Sequence, residues 1–169
     1  IFRKLLQPLV KSGHSPTLQA MYSLFSSNRG EFQQSLDSAE LTLEKMQKLK
    51  IQFVDYWDKI YPPGLRNLKQ PPWGLFYYGN LPSPDIPTLA VVGTRRPNHY
   101  GIALVDSILL NIQTRPLQLV SGLAYGIDSA SHDRACLGAI PNFAVLGSGL
   151  DKLYPEKHSR LASRILETG

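Results

Sequence analysis

Cysteine is nearly missing from this chain of 169 residues, where Cys136 stands alone, so no internal disulfide can staple the fold and a reducing compartment suits it. One Cys and four scattered His form no spacing of the kind a metal needs. No apolar run approaches the roughly 20 residues of a membrane helix. The opening Ile1-Phe2-Arg3-Lys4-Leu5-Leu6-Gln7-Pro8 also lacks the long apolar middle of a signal peptide. A Walker-type G-x-x-x-x-G-K-[ST] is absent. The dinucleotide fingerprint G-x-G-x-x-G fails too: the first apolar strand runs into G-T-R-R-P-N-H-Y-G, and the later Gly147-Ser148-Gly149 leads into Leu150-Asp151 with no third glycine. The expectation is a cytoplasmic protein with no cofactor, no metal and no membrane partner. The first residue is not Met, and Glu167-Thr168-Gly169 closes the chain just after a helical pattern, so both ends read as cut.

What is present suffices for a core. Apolar residues make up 43% of the chain, enough for one ordinary domain or two small ones. Of the net charge of +5, +4 falls on residues 1–70 and +1 on the rest, which by itself does not establish a nucleic-acid partner. From Ile1 to about Ile60 the pattern is helical, with turn chemistry at residues 12–16 and 26–30. Ser38-Ala39-Glu40-Leu41 offers a capping-type start for a further helix. Tyr61-Pro62-Pro63-Gly64 and the prolines that follow it break helical continuity, which predicts a helical domain over residues 1–60 and a second domain over 61–169. A short aromatic strand is expected at residues 75–79.

From Thr88 a unit of apolar strand, Gly-containing loop and helix occurs three times: strands at 89–92, 117–120 and 142–146, and helices near 98–114, 126–137 and 156–166. Strands this apolar predict a parallel sheet covered on both faces, and hence an α/β domain. All strand C-termini then share one edge, where Gly93, Ser121-Gly122 and Gly147-Ser148-Gly149 converge. Glycines allow close approach of backbone amides and the helix N-termini add positive character, together an anion site. Glycines in such loops serve tight turns just as often, so both roles stay open for the second and third loops. Arg95, charged beside a buried strand end, points to phosphate contact, whereas Arg96 reads as a solvated neighbour. His132, Asp128 and Cys136 read as structural, Asp128 as a cap or first-turn acid.

These motifs together resemble the DprA/Smf family of DNA-processing proteins. The resemblance rests on Tyr61-Pro62-Pro63-Gly64-Leu65 with Leu75-Phe76-Tyr77-Tyr78-Gly79, on Ala90-Val91-Val92-Gly93-Thr94-Arg95 with Tyr100-Gly101, on Ser121-Gly122-Leu123-Ala124-Tyr125-Gly126-Ile127-Asp128 with His132, and on Ala144-Val145-Leu146-Gly147-Ser148-Gly149-Leu150-Asp151 with Tyr154-Pro155. It covers about residues 61–169. The N-terminal helices are similar in kind to the small SAM-like domain many members carry.

The resemblance implies a truncated Rossmann-like domain in a protein that binds and protects single-stranded DNA in natural transformation and helps load the RecA recombinase, without catalysis and as a homodimer when intact. Carried onto this chain, the DNA-binding pocket holds Gly93, Thr94, Arg95, Ser121, Gly122 and Gly126, with Arg160 and Lys152 as further basic contacts and Tyr125 as a base-stacking group. Two departures stand out: Gly138-Ala139-Ile140-Pro141 where the family often has Gly-Gly, and His158 where Asn is common. The resemblance implies that the family's S-E strand, R-N-R segment and closing S-G-S motif would follow Gly169. The competing reading is a Rossmann-like nucleotide phosphoribohydrolase of the LOG type, whose acidic P-G-G-x-G-T-x-x-E motif does not occur here. A third is an interaction module whose helical domain recruits partners.

Overall fold

The computed structural model describes residues 29–169. The helical pattern read before Asn28 lies outside the described residues. The chain divides into two compact units, Ile1–Leu49 and Lys50–Gly169.

In the first unit, α1 (Arg29–Leu49) is one continuous helix. The expected restart at Ser38 does not occur. No Gly or Pro interrupts residues 31–49, and Ala, Leu, Glu, Lys and Gln favour propagation. Ser38 therefore lies mid-helix, its carbonyl accepting from Thr42 Oγ1 at 2.8 Å in the back-bonded arrangement hydroxyls adopt inside helices.

The second unit begins earlier than the proline-rich stretch suggests. Gln52–Asp55 is not helical but forms β1, paired antiparallel with β2 (Gly74–Tyr77), Phe53 opposite Phe76 and Val54 opposite Leu75. Between them lies the short helix α2 (Pro63–Arg66). Tyr61 is fully buried and donates its hydroxyl to Pro72 O at 2.7 Å. The Arg66 guanidinium lies over the Tyr56 and Tyr61 rings at 5.9 and 5.4 Å, a cation–π arrangement. Its Nε donates to Tyr56 O.

The α/β part follows as β3 (Thr88–Ala90), α3 (His99–Ile112), β4 (Gln118–Ser121), α4 (Ile127–Leu137), β5 (Asn142–Ala144), a 3-10 turn (Glu156–His158) and α5 (Ser159–Thr168). The sheet is parallel, in the order β3-β4-β5. Helix α3 starts where expected because the Asn98 side chain accepts from Gly101 N at 2.9 Å, a standard N-cap.

Coverage of both sheet faces is not found among the described residues. Leu89, Val91, Leu117 and Leu119 pack with Val105 and Leu109 of α3 and with Ile127, Ala130 and Ala135 of α4. Asn142, on the same face as Leu119 by register, meets Thr168 of α5. The opposite face carries Ala90, Val92, Val120, Phe143 and Val145, with Val92 and Val145 exposed. Strands that follow one another in both sequence and space, joined by right-handed crossovers, put successive helices on one side.

Candidate functional site

The three strand ends are knitted together at the C-terminal edge of the sheet. Val91 N donates to Val120 O at 3.1 Å and Val145 N to Ser121 O at 2.8 Å. The buried Ser121 hydroxyl donates to Val91 O at 2.6 Å. The loops after β3, β4 and β5 therefore leave from one fixed platform, as a parallel sheet dictates.

Gly126 makes the first two loops touch. It has φ +84°, and a Cβ placed there would lie 2.2 Å from Thr94 O. The next amide, Ile127 N, donates to that same carbonyl at 3.1 Å. Only glycine combines a left-handed backbone with so close an approach.

Asp128, one residue into α4, turns its buried carboxylate back under both loops. Oδ2 accepts from Gly122 N at 3.1 Å, and Oδ1 accepts from Gly93 N at a longer 3.4 Å. Its role is larger than that of a cap or first-turn acid, since it links the ends of β3 and β4. The two amides expected to face a ligand are thus directed at a side chain of the protein itself. Other groups at this edge are likewise engaged: Ser129 N donates to Ala124 O, and Thr94 Oγ1 accepts from Arg96 N at 3.2 Å.

What opens to solvent is a cleft of about 310 Å³ lined by Arg95, Gly122, Ala124, Tyr125, Gly147, Ser148, Tyr154 and Pro155. Each of the three loops contributes to it. The Arg95 side chain is exposed and makes no ion pair or hydrogen bond among the described residues. Tyr125 and Tyr154 present rings that are 40% and 64% exposed. The Ser148 hydroxyl is buried without a protein partner.

Of the residues singled out from sequence, the structure places Arg95, Gly122 and Tyr125 in the cleft wall. Gly93, Thr94, Ser121 and Gly126 lie outside its lining and form the contacts that hold the loops together. Lys152 and Arg160 are exposed and outside the lining. Tyr154 and Pro155 line the cleft although nothing in the sequence assigns them a binding role, and Gly147 and Ser148, from the loop for which both roles stay open, line it too. Their signal was the Gly-Ser-Gly loop at the end of a third strand, on the same edge as Arg95.

Beneath the site lies a buried network. Asn142 Nδ2 donates to Thr168 Oγ1 at 2.7 Å and to Ile140 O at 3.3 Å, so Oδ1 faces His132 and accepts its Nδ1–H at 2.8 Å. His132 is completely buried and its Nε2 has no partner. Burial pushes its pKa below the usual histidine value, outweighing the opposite pull of the Asn142 hydrogen bond, of the Ser121 backbone and of Asp128. The unfolded chain then binds the proton more readily, so this stabilisation is complete above the unfolded value of about 6.5 and is lost as pH falls from there toward the folded value. Urea unfolding at pH 7 and pH 5 is expected to show the loss, at no more than about 1.4 kcal/mol per pH unit from this one group. The slope should flatten in His132→Gln, and an equally steep slope in that variant would assign it elsewhere.

Residues 52–169 match the family described as DNA recombination-mediator protein A. The chain is 36% identical over 130 residues to DNA processing protein DprA of Streptococcus pneumoniae, covering 77% of this chain and 45% of that protein. It is 38% identical over 111 residues to protein Smf of Escherichia coli, covering 66% and 30% respectively. Among solved structures, the fold is similar to that of DNA processing protein A from S. pneumoniae, with a TM-score of 0.63 over 69% of this chain and 41% of that one. It is also similar to DNA processing protein A from Helicobacter pylori, solved to describe its single-stranded-DNA binding mode, with a TM-score of 0.58, 25% identity, and coverage of 68% and 52%. The chain spans about half or less of the length of these relatives.

Proposed function

Because the chain belongs to the DNA recombination-mediator protein A family, we propose that the cleft at the sheet edge binds single-stranded DNA, with Arg95 on a backbone phosphate and the Tyr125 and Tyr154 rings beside the bases. The observation that carries this reading is the cleft lining itself: an exposed guanidinium without a protein partner and two exposed aromatic rings. Cations that track phosphates and rings that accept any base are the general means of sequence-tolerant single-strand binding. The similarity to the H. pylori protein and its single-stranded-DNA binding mode supports the same ligand.

At the level of the whole protein, the reading extends to protection of incoming DNA in natural transformation in the cytoplasm, RecA loading and a homodimer. A recombination mediator, the family's description, is a protein that hands DNA to a recombinase. The nucleotide-hydrolase alternative is weaker. A nucleotide phosphate in such a crevice draws on backbone amides of the first loops, and here Gly93 and Gly122 donate theirs to Asp128.

Fluorescence anisotropy of a labelled single-stranded oligonucleotide, titrated with the full chain across a salt series, tests the reading. Binding is expected to weaken steeply with salt. Arg95→Ala should reduce affinity roughly tenfold at low salt and lower the log–log salt slope by about 1. Affinity indifferent to both salt and Arg95 would rule the phosphate contact out.

A further inference from the structure

Tyr125 does not stand alone in the cleft wall. Its ring meets the imidazole of His158 edge-on, with centroids 5.0 Å apart and planes at 70°. His158 closes the 3-10 turn after Tyr154-Pro155 and is tied through its own amide to Pro155 O at 3.0 Å. Its Nδ1 lies 2.9 Å from Leu123 O. A carbonyl only accepts, so Nδ1 carries the proton there. Leu123 is fully buried and has φ +55°, which sharply turns the chain just before Tyr125. One imidazole therefore grips the loop after β4 twice, at the carbonyl two residues before the tyrosine and at the tyrosine ring itself.

We propose that His158 is a positioning residue for base recognition: its ring holds Tyr125 in the orientation in which the phenol presents a stacking surface to the cleft. The inference rests on the single-strand reading and adds to it a division of labour between the loops. Arg95, on the first loop, governs the salt-dependent part of binding. Tyr125, braced from the third loop, governs the part that depends on bases. An exposed tyrosine without its brace samples several rotamers, and binding must then order it. Immobilising one such side chain corresponds to about a three- to tenfold difference in affinity.

The experiment uses the full chain and a short oligothymidylate carrying one 2-aminopurine, whose fluorescence is quenched when it stacks. His158→Asn keeps a donor for Leu123 O but removes the ring; His158→Phe keeps the ring and removes the donor. The expected result is that His158→Asn lowers affinity about three- to tenfold and loses most of the quenching, with the salt slope unchanged, while His158→Phe retains the quenching. Tyr125→Ala sets the level at which stacking is absent, and melting temperatures measured alongside exclude unfolding as the cause. Quenching that depends on Tyr125 but is indifferent to His158→Asn overturns the positioning role and leaves the single-strand reading intact. Absence of any binding by the unsubstituted chain overturns both. Loss of quenching in both His158 variants at an unchanged melting temperature overturns the assignment to ring contact alone, since a ring without the Leu123 hydrogen bond then does not suffice.

Discussion

Gly126→Ala is expected to lower the stability of the unit spanning residues 50–169 by about 2–5 kcal/mol, the sum of a strained left-handed backbone and a steric clash. The added methyl would lie 2.2 Å from Thr94 O, 2.8 Å from the Arg95 carbonyl carbon and 2.8 Å from Pro97 Cδ. Two of these neighbours are backbone and the third is a proline ring, so no flexible side chain can swing away. The only relief is to part the loop after β3 from the start of α4. That breaks the Ile127 N to Thr94 O bond and draws the Asp128 carboxylate away from Gly93. Denaturant unfolding of the variant should show a midpoint well below that of the parent, and thermal unfolding a drop of ~10 °C or more. An unchanged midpoint would mean that the two loops are not packed as described.

The second large effect is expected at Asp128. Asp128→Ala leaves the amides of Gly122 and Gly93 without their acceptor and opens a void behind the cleft, for an expected loss of about 2–4 kcal/mol. Asp128→Asn should recover little of it. The amide side chain offers one oxygen where the carboxylate offered two, and its NH₂ would face a backbone N–H, donor against donor. Urea unfolding of both variants measures the effect. An asparagine variant as stable as the parent would show that shape, not acceptor count, is what the loops require.

Much of this architecture was legible because local patterns and tertiary environment agree. The apolar runs that end in glycine are strands, the Asn98 cap starts a helix, and the loops do meet at one sheet edge. The gaps have identifiable causes. Gln52–Asp55 is too short for its alternation to be read, and its strand character comes from a partner that begins at Gly74. The uninterrupted α1 ran through a serine that, locally, looked like a cap. Asp128 was read correctly as a first-turn acid, but its partners lie 6 and 35 residues away, and no spacing rule reveals a carboxylate that folds back on two loops. The one-sided helix layer follows from strand order, which apolar content does not encode. At Gly138-Ala139, where the family resemblance implies two glycines, Ala139 takes a left-handed backbone at φ +50° in the turn after α4.

Asp128 also settles when the rim of the cleft becomes ordered. Loops that gather around a ligand's charge are set only when that ligand arrives, and each encounter carries the entropy of arranging them. Here the gathering charge is covalently attached, six residues beyond the glycine it holds, so the arrangement is completed during folding. Salt that screens exposed charges has little hold on a buried carboxylate. The loop ends at Gly93 and Gly122 are therefore held in place by folding itself, so a ligand that meets them is expected to lose less entropy in ordering that part of the rim.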